Sequence, residues 1–149
     1  MRYFKIVRDE CRHYPDADIK LPTRATEHSA GYDFYSPVDV TIEPGESRLI
    51  FTDIKAHMYY DNVLMLYVRS SMGKYHVVIA NGTGIIDSDY YGNEDNDGNI
   101  GFRLLNLGTA PYVIKAGDRI GQGVFLKYGT VKDDSASGSR SGGFGSTNS

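Results

Sequence analysis

The sequence has little of what several large protein classes require. Its single cysteine, Cys11, excludes an intrachain disulfide and suits a reducing compartment. No apolar run approaches the roughly 18 residues that a membrane helix needs, and the opening MRYFKIVRDE lacks the apolar core of a signal peptide. A formal net charge of −3 gives no bulk electrostatic support for a membrane or nucleic-acid surface. We therefore expect a cytoplasmic protein, or one of the host cytoplasm if the source is a virus, that binds neither membrane nor nucleic acid directly.

Several familiar catalytic patterns are also missing. There is no P-loop motif for phosphate binding and no nucleophile elbow of the hydrolase type. The histidines show no paired metal-binding spacing, and a single cysteine gives no support for a zinc site. No segment has sustained 3.6-residue periodicity, which argues against amphipathic helices.

What the sequence does contain favours strands and turns. It has 12 tyrosines and 17 glycines, and short apolar or alternating runs are separated by Gly and Pro turns. Strands are predicted over residues 3–7, 31–35, 38–42, 48–54, 63–68, 76–80, 100–106, 112–115 and 119–127. Residues 70–75 are predicted to form one helical turn with Ser70 as its N-cap. This pattern predicts an all-β fold, an antiparallel sandwich or jelly roll over residues 1–132.

Two polar segments interrupt this pattern. Glu94–Asn99 is acidic and has no apolar residue, so it is predicted to be a solvated loop. We expect that shortening this loop would leave the fold intact. Its acidic residues resemble those of a calcium-binding loop, but the glutamate at the end of such loops is absent. Asp133–Ser149 is almost entirely Ser, Gly, Asp, Thr and Asn, which predicts a flexible C-terminal tail. Arg140 and Phe144 lie within that tail, and they indicate that the tail becomes ordered when it covers a ligand.

The segment Asn81–Gly92 carries the most concentrated set of chemical groups. It opens with Asn-Gly, a strong turn signal, and is predicted to be a β-hairpin. Two apolar residues deliver Asp87 to a strand end, and two tyrosines follow it. An acid held there beside open backbone can act as a general base. The alternative is a solvated turn acid, which these residues alone leave open.

Three further segments carry polar groups that fit an anionic ligand. The run RSS at 69–71 follows an apolar strand, where hydroxyls, an arginine and free amides suit phosphate. Asp33 follows a glycine at the start of a strand. In RIGQ at 119–122, alternation predicts that Arg119 and Gly121 share one strand face. A plain N-cap, a turn acid and an ordinary exposed strand remain the respective alternatives.

Five segments, taken in chain order, resemble the five motifs of the trimeric dUTPase family: Ala30–Phe34, Arg69–Met72, Asn81–Gly92, Gly117–Gln122 and Ser141–Thr147. The resemblance extends from about Leu21 to the C-terminus. It implies a jelly-roll subunit in a homotrimer with three shared active sites. It also implies hydrolysis of dUTP to dUMP and pyrophosphate with Mg²⁺, which limits uracil incorporation into DNA and supplies dUMP for dTMP synthesis.

The resemblance also implies roles for individual residues. Asp87 would be the general base for the water that attacks the α-phosphorus, and Asp33 would approach Mg²⁺ indirectly through water or fix a neighbouring side chain. Tyr90 would pack on the deoxyribose and exclude a 2′-hydroxyl. The tail would cover the site of another chain. The implied substrate-binding residues are Arg69, Ser70, Ser71, Asn81, Gly84, Ile86, Tyr90, Gln122, Arg140 and Phe144.

Two other functions stay open beside this one. A dCTP deaminase of the same superfamily would need a Glu placed to work on the pyrimidine amino group, and the Asp87-x-x-Tyr90 pattern favours dUTPase instead. A nucleotide-binding module that regulates an unknown protein partner is the third hypothesis. In that case the same nucleotide site would regulate the partner.

Overall fold

Twelve short antiparallel strands form the framework of residues 1–144, the part of the chain that the computed structural model describes. The strands are β1 (Tyr3–Ile6), β2 (Thr23–Arg24), β3 (Tyr32–Tyr35), β4 (Val40–Ile42), β5 (Ser47–Phe51), β6 (Ile54–His57), β7 (Asn62–Tyr67), β8 (Val77–Ile79), β9 (Gly84–Asp87), β10 (Gly101–Asn106), β11 (Tyr112–Ile114) and β12 (Arg119–Lys127). The helical pieces are α1 (Ser70–Gly73) and two 3₁₀ turns, Asp9–Cys11 and Ser88–Tyr90. The predicted all-β class is confirmed.

The strands form two larger sheets and two small pairs. One sheet has the order β2-β3-β12-β7-β9, and the other has the order β5-β10-β8. Strand β1 pairs with β6 and β11 pairs with β4. Every pair is antiparallel. Neighbouring strands are often distant in sequence, as in the jelly-roll-like arrangement that was predicted.

The apolar core is shared by the two larger sheets. Phe34 on β3 and Phe102 on β10 are fully buried, and their ring centroids lie 5.4 Å apart. Leu64 and Leu66 on β7 point into the same cluster. Gly121 on β12 is needed here, because a Cβ at that position would collide with the Phe102 ring. Burying side chains of this size stabilises the fold by about 1.5–3 kcal/mol each.

A bulge in β12 changes the predicted faces of that strand. The register against β3 shifts between Arg119 and Gly121, so Ile120 is an extra residue. Ile120 and Gly121 are consequently both buried, whereas Arg119 is exposed. The prediction that Arg119 and Gly121 share one face is therefore wrong. The bulge turns Arg119 towards Asp33 on the neighbouring strand.

The start of α1 also differs from the prediction. Arg69, not Ser70, is the N-cap residue, and no side chain caps the helix. The backbone of Arg69 is extended (φ −83°, ψ 152°), so the helix begins only at the next residue. Among the described residues, none of the helices has the length and apolar character that a membrane span requires.

The turn at Asn81–Gly82 joins two sheets and does not close a hairpin. Strand β8 before it bonds to β10, whereas β9 after it bonds to β7. The predicted β-hairpin over Asn81–Gly92 is therefore wrong. The chain crosses at this corner from one core-forming sheet to the other, so the turn lies beside a gap between them.

The acidic segment after Tyr90 is folded inward. Asp97 is 3% exposed and Asn99 is fully buried. Asp97 accepts hydrogen bonds from the Arg8 amide and the Lys55 ammonium, both at 2.7 Å. The predicted solvated loop is wrong, because polar groups can be buried where protein donors meet them. Those donors also occupy the oxygen that a calcium ion would need, and no three-residue metal-binding cluster occurs within residues 1–144.

Candidate active site

A cavity of about 510 Å³ lies beside the corner between the two sheets. Its volume is in the range of small-molecule sites. The turn after β8, strand β9, Tyr90, part of β10 and the end of the tail form its walls. Seven of the predicted site residues line it: Asn81, Gly84, Ile86, Asp87, Tyr90, Arg140 and Phe144. Gly84 keeps β9 close to β7, since a Cβ there would lie 2.8 Å from Cβ of Leu66.

Asp87 stands at the mouth of the cavity, where β9 ends. Its side chain is 49% exposed, and its Oδ2 accepts a hydrogen bond of 2.6 Å from Nη2 of Arg140. The same guanidinium donates through Nε to Asp89 at 2.7 Å. Arg140 is only 16% exposed, so the tail is held to the cavity by two charge-assisted contacts. The arginine covers one oxygen of the predicted general base.

Tyr90 forms a fixed wall of the cavity. It is 4% exposed, and its hydroxyl donates to the carbonyl oxygen of Asn99 at 2.6 Å. The same hydroxyl accepts from Nδ2 of Asn96 at 2.8 Å. Burial raises the pKa of the Tyr90 phenol to about 12, so the phenol is neutral and can donate. Gly143 lies on the ring, since a Cβ there would collide with Tyr90.

The tail returns to the cavity of its own chain. The Phe144 ring meets Phe51 at 5.3 Å and Tyr90 at 6.3 Å between centroids. The expectation that the tail covers the site of another chain stays a prediction. Within this chain, Arg140 contacts the carboxylates of Asp87 and Asp89, and Phe144 contacts the aromatic edges of the cavity. The last part of the fifth motif, residues 145–147, lies outside the described residues.

Four of the other predicted site residues, together with Arg119, form a second group, which we call the arginine group: Asp33, Arg69, Ser71, Arg119 and Gln122. Asp33 is nearly buried and lies 3.1 Å from Nε of Arg69 and 3.5 Å from Nε of Arg119. Arg69 also reaches the Ser71 hydroxyl at 3.5 Å. Gln122 donates to the carbonyl oxygen of Val68 at 3.2 Å. Ser70 is exposed at the start of α1, next to this group.

The two groups lie far apart on the same sheet. Asp87 pairs with Val63 of β7, whereas Gln122 pairs with both Tyr67 of β7 and Asp33 of β3. Four residues along a strand and three steps between strands separate Asp33 from Asp87, which is about 19 Å between their Cα atoms. Gln122 is one strand nearer to Asp87. One chain therefore does not bring all the predicted residues into one site.

Three residues near the cavity were not predicted to have a role. Arg103 on β10 lines the cavity, but it lies in an apolar strand with no motif around it. Asp89 holds Arg140, although its place two residues after Asp87 could have indicated a shared partner. Asn96 was assigned to a solvated loop. Only the folded chain shows that its side chain reaches Tyr90.

The comparisons with known proteins decide the family. The profile of the dUTPase family matches residues 17–148. The chain is 43% identical over 137 residues to the deoxyuridine 5′-triphosphate nucleotidohydrolase of Lactococcus lactis, covering 90% of this chain and 91% of that protein. The chain belongs to the dUTPase family. The predicted family and the predicted enzyme class, dUTP diphosphatase, are thus confirmed.

Solved structures of the dUTPase family agree with the fold. The dUTPase from Streptococcus mutans superposes with a TM-score of 0.74 at 34% identity, covering 87% of this chain and 98% of that one. A mutant dUTPase from phage phi11 of S. aureus, whose structure describes the coordination of a structural Mg(II) ion, gives 0.71 at 22% identity. It covers 91% of this chain and 96% of its own, and at that identity it supports the fold alone.

The described side chains do not offer a direct ligand set for Mg²⁺. Asp33, the predicted indirect contact, has one oxygen beside Arg69 and the other beside Arg119. Asp87 and Asp89 both face Arg140. Of the two roles considered for Asp33, fixing neighbouring side chains is the one that matches these contacts. Direct coordination by the protein does not fit.

Proposed function

We propose that this dUTPase-family chain hydrolyses dUTP to dUMP and pyrophosphate, with Asp87 as the base. The observation that carries the proposal is the position of Asp87 at the mouth of a cavity of nucleoside size. Water attacks the α-phosphorus, its proton passes to Asp87, and the bond to the bridging oxygen breaks to release pyrophosphate. A base for a water nucleophile must be within hydrogen-bond reach of it. The partly exposed carboxylate of Asp87, at the edge of the cavity that would hold the uracil, is the acid we assign to this role.

Arg140 exchanges partners in this mechanism. Its guanidinium lies on the Asp87 oxygen that would accept the proton from water. A triphosphate offers the arginine a stronger concentration of negative charge than the two carboxylates do. Arg140 therefore moves to the phosphates when the nucleotide binds, which frees Asp87 and keeps the tail over the site. Phe144 would then cover the uracil from the same tail.

The cavity walls select a deoxyuridine nucleotide. Asn81 and the backbone around Gly84 line the cavity and would supply donors and acceptors for the uracil edge. We expect a 5-methyl group on the base to be rejected there. Ile86 contributes apolar lining. The Tyr90 ring packs against the deoxyribose and excludes a 2′-hydroxyl. A site built this tightly can reject a substrate through a buried clash or an unpaired polar group.

The distance between the two groups supports a shared site in a homotrimer. The arginine group holds positive charge, hydroxyls and an amide, which suit phosphates, but it is about 16–19 Å from Asp87 of the same chain. In a closed cyclic assembly the arginine group of one chain can face the cavity of its neighbour. Arg69, Ser70, Ser71 and Gln122 of that neighbour would then hold the phosphates. Mg²⁺ would enter bound to the triphosphate oxygens, since Mg²⁺ usually binds nucleotides in this way.

A product assay tests this function directly. The full-length chain is incubated with dUTP or dCTP and Mg²⁺, and pyrophosphate and ammonia are measured. Pyrophosphate from dUTP, with no ammonia from dCTP, is the expected result. Ammonia from dCTP would show a deaminase, and nucleotide binding without turnover would favour a regulatory module.

A further inference from the structure

The hydroxyl of Tyr90 makes two hydrogen bonds, and both partners lie in the turn that follows Tyr90. A phenol has one O–H donor, and here it bonds to the Asn99 carbonyl oxygen. The oxygen accepts from the Asn96 side chain. Two directional bonds at one end of the ring restrict both its tilt and its rotation. The other end of the side chain is fixed by the backbone at the 3₁₀ turn.

The turn that supplies these bonds is itself braced by its asparagines. Asn93 donates through Nδ2 to the Tyr90 carbonyl oxygen and to Oδ1 of Asn96, both at 2.8 Å. Its Oδ1 accepts from the amides of Asp95 and Asn96. Oδ1 of Asn96 also accepts from the Gly98 amide at 3.0 Å. We call Asn93, Asn96 and Asn99 the asparagine bracket.

The bracket is tied to the protein body through Asn99. Its side chain exchanges two hydrogen bonds with Asp53, one from the Asp53 amide at 3.0 Å and one to Oδ1 at 2.8 Å. Asp53 is fully buried and also accepts from the amides of His13 and Tyr14. The Tyr90 hydroxyl is thus connected to a buried network, not to a surface loop.

We infer that the asparagine bracket is a positioning device for substrate selection, in which Asn96 and Asn99 fix the Tyr90 ring at the distance from the sugar that excludes a ribonucleotide. The inference rests on the proposed function, since it assumes that Tyr90 faces the deoxyribose. Asn96 is the residue to test, because its side chain donates to the hydroxyl, whereas the acceptor on Asn99 is a backbone carbonyl oxygen that a substitution does not remove. A ring released at its hydroxyl can tilt and admit a 2′-hydroxyl.

Two single variants and their combination test this inference. Tyr90→Phe removes the hydroxyl with both of its hydrogen bonds. Asn96→Ala removes the donor to that hydroxyl, together with the bonds that Asn96 accepts from Asn93 and Gly98. The ratio of kcat/KM for dUTP to that for UTP should fall about fivefold in each, the factor expected for one neutral hydrogen bond. Because Asn96 acts on selection through the Tyr90 hydroxyl, the double variant should show about the same fall as Tyr90→Phe alone and not the product of the two. Glu94→Ala, an exposed change in the same turn, is the matched control and should keep the ratio.

The outcomes separate the inference from the proposed function. Turnover of dUTP by the unchanged chain tests the proposed function by itself. If dUTP is hydrolysed but Asn96→Ala leaves the ratio unchanged, the positioning role is overturned. The same holds if the two effects multiply, or if Asn96→Ala lowers kcat equally for both substrates, as a purely structural defect would. Tyr90→Phe keeps the question open to measurement even where Asn96→Ala folds poorly.

Discussion

The cavity around Asp87 and the arginine group around Asp33 are built in different ways. The cavity collects residues from distant parts of one chain, and its main charged pair joins positions 53 residues apart. The arginine group gathers on adjacent strand ends, where Asp33 and Gln122 are direct cross-strand partners. One group holds a base and a nucleoside-sized space, and the other holds positive charge. The difference fits our proposal that each chain carries two halves of a site that is completed between chains.

The largest expected effect comes from breaking the cavity half. Asp87→Asn keeps the shape but removes the base, so kcat should fall on the order of 10²–10⁴-fold with nucleotide binding largely kept. Steady-state kinetics with dUTP and a binding titration measure the two parts. Asp89→Asn is the control, because it loosens Arg140 but leaves the base. Near-normal turnover by Asp87→Asn would make Asp87 a structural turn acid.

The next effect comes from breaking the arginine half. Arg69→Gln should raise KM for dUTP by about 10- to 100-fold, since it removes a charged hydrogen bond to phosphate. The catalytic step at Asp87 should be less affected, so kcat should change less than KM. Lys127→Gln, which removes an exposed lysine that pairs with Asp61 at 3.5 Å, should change neither. An unchanged KM for Arg69→Gln would remove the arginine group from the site.

A third change tests the buried segment behind Tyr90, which supports one wall of the cavity and does not contact the arginine group. Asp97→Asn keeps the side-chain shape but leaves the Lys55 ammonium, only 12% exposed, without its charge partner. The free energy of unfolding should fall by about 2 kcal/mol, measured by denaturant titration. Asp95→Asn, on the exposed side of the same turn, should have little effect. Equal stability of the two variants would return this segment to the solvated loop first predicted.

The smallest expected effect is a pH dependence at the alkaline end. Burial raises the pKa of Tyr90 from 10.0 to about 12. The folded chain therefore holds this proton more tightly than the unfolded chain, so stability is fully present below pH 10 and is lost as pH rises towards 12. Tyr90→Phe should flatten the fall of melting temperature across this window. An identical slope in both proteins would show that Tyr90 does not contribute to it.

Most strands could be predicted from the sequence, because their signals are local. β12 has both predicted ends, and the apolar run of β7 is shifted by only one residue. β6 was missed because Asp53 takes a left-handed backbone (φ 59°) that interrupts the predicted strand over 48–54. Propensity does not identify such a residue, which is held there by its hydrogen bonds to His13, Tyr14 and Asn99.

The candidate site was predictable as a set of residues but not as an arrangement. The segment Glu94–Asn99 was predicted to lie in solvent because it is acidic and has no apolar side chain. Its partners Arg8 and Lys55 lie 89 and 42 residues from Asp97, so no local pattern reveals them. The separation of Asp33 from Asp87 was not predictable either, because it depends on the order and register of the paired strands. The order of motifs does not contain that register.

Mixing two defective chains tests the central claim, that the two halves meet between chains. Full-length Asp87→Asn and Arg69→Gln proteins are combined under conditions where subunits exchange, and turnover is measured at dUTP well below KM. With random assortment at equal amounts, about a quarter of the sites should have an intact Asp87 facing an intact Arg69, so activity should rise to about a quarter of normal. If exchange is demonstrated and activity stays at the average of the two separate preparations, both halves act within one chain and the shared site is contradicted.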